Sequence, residues 1–95
     1  MVKLIWTDQA IDDLGVIGDF IAENSELYAR LTLQNLYKRT EILKTFPLTG
    51  RIVPEKNVES VRELIEGNYR ILYEIISEDT IYIIAVYHSA RELNR

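Results

Sequence analysis

The stretch Arg62-Glu63-Leu64-Ile65-Glu66-Gly67-Asn68-Tyr69-Arg70-Ile71-Leu72-Tyr73-Glu74-Ile75-Ile76-Ser77-Glu78-Asp79-Thr80-Ile81-Tyr82-Ile83-Ile84-Ala85-Val86-Tyr87-His88 decides the fold. Its β-branched and aromatic runs, at roughly 61–66, 69–77 and 80–88, predict three strands. Gly67-Asn68 and Glu78-Asp79 read as two-residue hairpin loops, so the strands form a meander. A sheet this apolar must be buried, and the few polar side chains on it become the candidates for function. With both loops tight, Arg70 lies opposite Tyr87 and Ile65, and Tyr69 faces His88. One face then carries Glu63, Arg70, Leu72, Ile81, Ile83, Ala85 and Tyr87. The other carries Arg62, Leu64, Tyr69, Ile71, Tyr73, Tyr82, Ile84, Val86 and His88, since side chains alternate along a strand. Arg70 and His88 thus project to opposite faces.

Upstream, the period changes from two to about 3.6. Val2 to Trp6 is a short strand, and Thr7 is placed to cap a helix with Asp8 in its first turn. Ala10, Ile11, Leu14, Ile17 and Ile21 recur at helical spacing. Gly15 and Gly18 each weaken that helix by roughly 1 kcal/mol relative to Ala, unless they permit close approach to a neighbour. Ser25 caps a second helix, predicted from Glu26 to Phe46 and stopped by Pro47. Its inner face is Ala29, Leu33, Leu36, Thr40 and Leu43. The short Asn24-Ser25 link makes the two helices an antiparallel hairpin. Residues 47–60 read as an irregular connection punctuated by Pro47, Gly50 and Pro54.

Ninety-five residues predict a single domain over 1–95, and 47% apolar with 27% charged residues reads as globular. The chain lacks cysteine and has one histidine, so neither a disulfide framework nor a dedicated metal or cofactor site is expected. No run has membrane-spanning or signal-peptide character, and a cytoplasmic protein is the expectation. Net charge is −4, from 11 basic and 15 acidic side chains. That balance argues against non-specific nucleic-acid binding, whose affinity comes largely from counterion release at a dense positive surface.

The predicted β-α-α-β-β-β order is joined by three motifs: Pro47-Leu48-Thr49-Gly50-Arg51, Gly67-Asn68-Tyr69-Arg70-Ile71-Leu72-Tyr73, and Val86-Tyr87-His88-Ser89-Ala90-Arg91. Together they resemble the RelE/ParE superfamily, the toxins of type II toxin–antitoxin pairs, over essentially the whole chain. The resemblance implies an α+β fold, with a helical hairpin packed on a small antiparallel sheet that the first strand joins at one edge. It also implies a growth-inhibiting toxin of the plasmid-stabilisation type, neutralised by a cognate antitoxin in a hetero-oligomer. Two activities divide that superfamily: RelE-like members cut mRNA on the ribosome, whereas ParE-like members poison DNA gyrase without cutting RNA.

RelE-like cleavage needs cations around the scissile phosphate and a group that exchanges a proton near neutral pH. By resemblance, Arg70 and Arg91 match catalytic arginines, with His88 as the proton-transfer candidate and Arg62 and Glu55 in secondary roles. The lysines of the preceding strand and the tyrosine beyond the last strand have no counterpart here, which favours the ParE-like reading. Arg51, Arg62 and Tyr87 are the candidates for touching a target. Each has a plainer alternative. Arg70 can pair with Glu63 or Glu74, and Arg62 with Glu66 or Glu55. His88 can bond the backbone, and Arg51 can bond the last carbonyls of the second helix. Tyr69, Tyr73, Tyr82 and Tyr87 can stack on bases but more often fill a core.

Overall fold

The computed structural model describes residues 1–89. Elements run β1 (Lys3–Trp6), α1 (Asp8–Ala22), α2 (Glu26–Arg39), a 3₁₀ helix (Thr40–Lys44), β2 (Arg51–Ile52), β3 (Val61–Glu66), β4 (Tyr69–Ser77) and β5 (Thr80–His88). They build the expected α+β fold, with the strands in spatial order β1-β5-β4-β3-β2.

Both helix starts follow from their caps. Thr7 Oγ1 accepts from Ala10 N–H, and Ser25 Oγ accepts from Tyr28 N–H. The second helix ends earlier than its sequence pattern predicts, at Arg39 rather than Phe46. Thr40 is fully buried, and its hydroxyl donates to Tyr37 O at 2.7 Å, competing with the backbone ladder just where the chain tightens to 3₁₀. Gly18 provides the close approach between the helices: a Cβ there would sit 2.9 Å from Leu33 Cδ1. Gly15 faces open space and has no such role.

The meander lies at the centre of the sheet, with Arg70 opposite Ile65 and Tyr87, and Tyr69 opposite His88, as predicted. Two features differ from the sequence reading. First, β1 lies parallel to β5, so the sheet is mixed rather than purely antiparallel. The helical hairpin supplies the crossover that a parallel edge strand requires. Second, register shifts lie between Leu72 and Tyr73 and between Ile75 and Ser77, leaving Ile84 and Ile76 as extra residues. These offsetting bulges exchange the faces of Ile81–Ile83 relative to an unbroken alternation. Ile81 and Ile83 therefore join the helix-side core with Leu36, Leu43, Leu64, Ile71, Tyr73 and Val86, while Ile84 packs on the other face. A smaller cluster of Val53, Leu72 and Ala85 covers that second face. The connection 47–60 is also more ordered than predicted, since β2 pairs with β3 through Arg51–Glu63 and Ile52–Arg62. Two residues are too few to show a strand period.

Candidate functional site

On the face away from the helices, side chains from the three neighbouring strands β2, β3 and β4 bring charge together, Arg70 lying diagonal to Glu63. Glu63 of β3 is buried, its side chain fully so, and Arg51 of β2 is its cross-strand neighbour. The Arg51 Nε–H donates to Glu63 Oε2 in a short contact, while 62% of the Arg51 side chain remains exposed. Arg70 Nε donates to Glu63 Oε1 at 2.6 Å. Its two terminal nitrogens, Nη1 and Nη2, donate to Glu55 Oε2 and Oε1 at 3.0 and 2.9 Å. Glu55 reaches the sheet from the turn that follows buried Val53, which is closed by Lys56 and Asn57 N–H bonds to Val53 O.

This alternation of two arginines and two carboxylates explains why charge is tolerated on an apolar sheet. An unpaired guanidinium buried to 6% exposure would carry a large desolvation cost. Here each guanidinium nitrogen of Arg70 finds an acceptor. No buried side-chain nitrogen or oxygen among the described residues lacks a hydrogen-bond partner. The Arg70 hydrogen bonds hold the Glu55 carboxyl at about 2, well below its ordinary value, with Arg51 adding a weaker pull. The same bonds raise Arg70 against the opposing effect of burial.

Of the pairings open to Arg70 in the sequence, it takes Glu63 and not Glu74, and adds Glu55. Arg62 pairs with neither Glu66 nor Glu55. It donates instead to the backbone carbonyls of Glu59 and Gly50, at 3.1 and 3.0 Å, and more weakly to Leu48 at 3.4 Å. Arg51 bonds Glu63, not the carbonyls of the second helix. Tyr87 is half-buried against the Val53–Leu72–Ala85 cluster. His88 lies on the helix side, exposed at the strand end, with its ring edge-on to Tyr69 at 5.6 Å. The structure thus brings Arg51, Glu55, Glu63 and Arg70 together and places His88 across the sheet. The bulges do not alter this, because pairing from Leu72–Ala85 to Tyr69–His88 is regular. Arg91 lies outside the described residues.

Two residues of the sequence motifs, Tyr73 and Gly50, stand behind this site, with Tyr73 in the core rather than open to a base. Tyr73 is fully buried, and its hydroxyl donates to Pro47 O at 2.7 Å while accepting from Gly50 N–H at 2.9 Å. Gly50 fits because it has no side chain: a Cβ would meet Glu63 O and Tyr73 Oη at 2.6 Å. The Pro47–Arg51 motif is therefore the clamp that delivers Arg51 to Glu63. The sequence signal was a tyrosine in mid-strand, a residue whose polar tip needs a partner when buried.

On the opposite side, α1 and the end of the sheet flank an open groove of about 460 Å³. It is lined by Asp13, Val16, Ile17, Phe20, Tyr69, Val86 and His88, and its apolar walls include Val16 and Phe20, 70% and 71% exposed. Asp13 Oδ2 accepts the Val86 N–H at 2.9 Å, pinning α1 to the strand there. Among the described residues no cluster of His, Cys, Asp or Glu could hold a metal, and no helix is long and apolar enough to cross a membrane.

Known proteins resemble this chain in sequence and in architecture. The chain is 26% identical to Toxin RelE2 of Caulobacter vibrioides over 91 residues, covering 96% of this chain and 99% of that protein. Its fold resembles a chain of the chromosomal ParDE system from P. aeruginosa, with a TM-score of 0.74 and 22% identity, covering 93% of this chain and 96% of that one. It also resembles a chain of the RelBE2 toxin–antitoxin complex from Mycobacterium tuberculosis, with a TM-score of 0.57 and 18% identity, covering 92% and 96%. The family model for the ParE toxin of the type II toxin–antitoxin system parDE matches residues 4–93, and the chain belongs to that toxin family.

Proposed function

We propose that this toxin acts by binding a protein target, DNA gyrase, and not by cutting RNA. The observation that carries the reading is the double clamp on Arg70. A phosphodiester in a nuclease site needs guanidinium protons aimed at the substrate. Here all three Arg70 nitrogens donate to Glu55 and Glu63, and Arg51 is drawn to Glu63. His88 stands on the other face, out of reach of that cluster for proton transfer. An acidic chain is also poorly suited to a polyanionic ribosome. Supercoiling by purified gyrase is expected to fall as the protein is added at micromolar concentration; unchanged supercoiling would remove the reading.

The same reading includes a cognate antitoxin, held in the groove beside α1, where Val16 and Phe20 offer apolar surface that a partner helix would bury. A second reading, ribosome-dependent mRNA cleavage, draws on the RelE2 name of the Caulobacter relative. It predicts cuts in ribosome-bound mRNA by primer extension, abolished by Arg70→Ala. Toxicity that survives this substitution would argue against it.

A further inference from the structure

The first helix carries a charge pattern that its own fold does not use. Between Asp8 and Ala22 it holds Asp8, Asp12, Asp13 and Asp19 and no lysine or arginine, and Glu23 follows as its C-cap residue. Asp12, Asp19 and Glu23 are exposed, and none of them joins an ion pair among the described residues. Their placement is unfavourable to the helix itself. Asp19 and Glu23 are like charges four residues apart, and both lie toward the C-terminal end, where the helix dipole favours cations. With 3.6 residues per turn, all three fall within about 60° of Val16 around the helix axis. They therefore rim the groove that Val16, Ile17, Phe20, Tyr69 and Val86 line, with half-buried Asp13 inside it. No lysine or arginine lines that groove. Exposed apolar surface bordered by unpaired charge of one sign selects a partner of the opposite sign. A second copy meeting the same face across a two-fold axis would set carboxylates against carboxylates. We propose that the groove beside α1 receives a cationic amphipathic helix of a protein partner. Its apolar side chains, three or four residues apart, seat on Val16 and Phe20, and its lysines or arginines face Asp12, Asp19 and Glu23. The inference rests on the reading that a partner helix fills this groove, and it adds the charge of that helix.

Two helical peptides test it, sharing one leucine stripe and differing only in flanking lysines or flanking glutamates. Each is titrated calorimetrically into the wild-type protein, into Asp12→Asn/Asp19→Asn/Glu23→Gln and into Phe20→Ala, with folding checked by circular dichroism. The lysine peptide is expected to bind wild type at least about tenfold more tightly than the glutamate peptide, and to weaken as salt is raised. The triple variant should lose about fivefold or more for the lysine peptide alone, in keeping with the modest worth of each exposed ion pair. Phe20→Ala should weaken whichever peptide binds; undiminished binding there places the peptide elsewhere and overturns the site. Equal binding of the two peptides, or an unchanged lysine-peptide affinity in the triple variant, overturns the charge assignment and leaves the groove reading standing. Binding of neither peptide overturns the groove reading as well. In NMR spectra the lysine peptide should shift the amide signals of Val16, Phe20 and Val86 and leave that of Arg30 on α2 unmoved; shifts confined to other residues overturn the site. A dimer in sedimentation equilibrium that Phe20→Ala dissociates would assign the groove to a second copy and overturn the proposal.

Discussion

Replacing Glu63 by Gln tests whether the charge cluster is part of the fold or merely sits on it. The amide keeps the shape and one acceptor oxygen but removes the charge shared by Arg51 and Arg70. The two arms differ in weight. The Arg70 side chain is 7% exposed and bonds Glu63 at 2.6 Å, so its arm carries the roughly 1.5–3 kcal/mol of a buried hydrogen bond to a charged group. Arg51 is 62% exposed, and solvent screening reduces its arm to below about 1 kcal/mol. Orphaning part of a buried guanidinium raises the cost toward the roughly 3–5 kcal/mol seen when one partner of a buried pair is removed. Glu55 remains on the fork and limits the loss, so about 2–4 kcal/mol is expected for Glu63→Gln. For a chain of this size that corresponds to a fall in Tm of about 10–25 °C. Arg51→Gln should cost under about 1 kcal/mol. Urea unfolding followed by circular dichroism measures both. Equal effects from the two substitutions, or a loss below about 1 kcal/mol for Glu63→Gln, would refute the claim that burial gives this cluster its weight.

Gly50→Ala should destabilise by about 1–3 kcal/mol, since its Cβ would press on Glu63 O and Tyr73 Oη with no flexible neighbour to yield; thermal melting would expose a neutral outcome. Gly15→Ala should stabilise by roughly 1 kcal/mol, because the position is helical and open, whereas Gly18→Ala should gain less, as Leu33 must shift. A larger gain at position 18 would contradict the packing described. On the acid side, Glu55 is depressed in the fold, so its contribution is present above the ordinary carboxylate range and is lost as pH falls toward about 2. The acid limb of a pH–stability curve should therefore flatten in Glu55→Gln. Tyr73 behaves in the opposite sense. Burial raises its hydroxyl, so stability is complete below about 10 and declines as pH climbs through the folded value, a decline that Tyr73→Phe should remove.

Local chemistry made much of the fold legible in the chain itself. Thr7 and Ser25 mark helix starts by capping, Gly67-Asn68 closes a hairpin, and the pairing of Arg70 with Ile65 and Tyr87 follows from counting outward from that turn. Those signals act over a few residues, so a one-dimensional reading captures them. The early end of α2 at Arg39 escaped it because buried Thr40 and its bond to Tyr37 depend on what packs around that turn. The parallel docking of β1 and the bulges at Ile76 and Ile84 escaped it for a similar reason. Each depends on how the sheet curves beneath the helices, and a single extra residue swaps every side chain that follows to the other face.

For the candidate site the division is sharper. The sequence alone established that arginines and carboxylates interrupt an apolar meander, that their number is too small for a polyanion-binding surface, and that Glu63 is a natural partner for Arg70. Only the tertiary structure decided that Glu55, fifteen residues away, closes the Arg70 fork, that Arg51 shares Glu63, and that Arg62 turns to backbone carbonyls. Ion pairing depends on distance and burial in three dimensions, and neither is encoded in the order of residues until Tyr73 and Gly50 draw the Pro47–Arg51 loop onto the sheet.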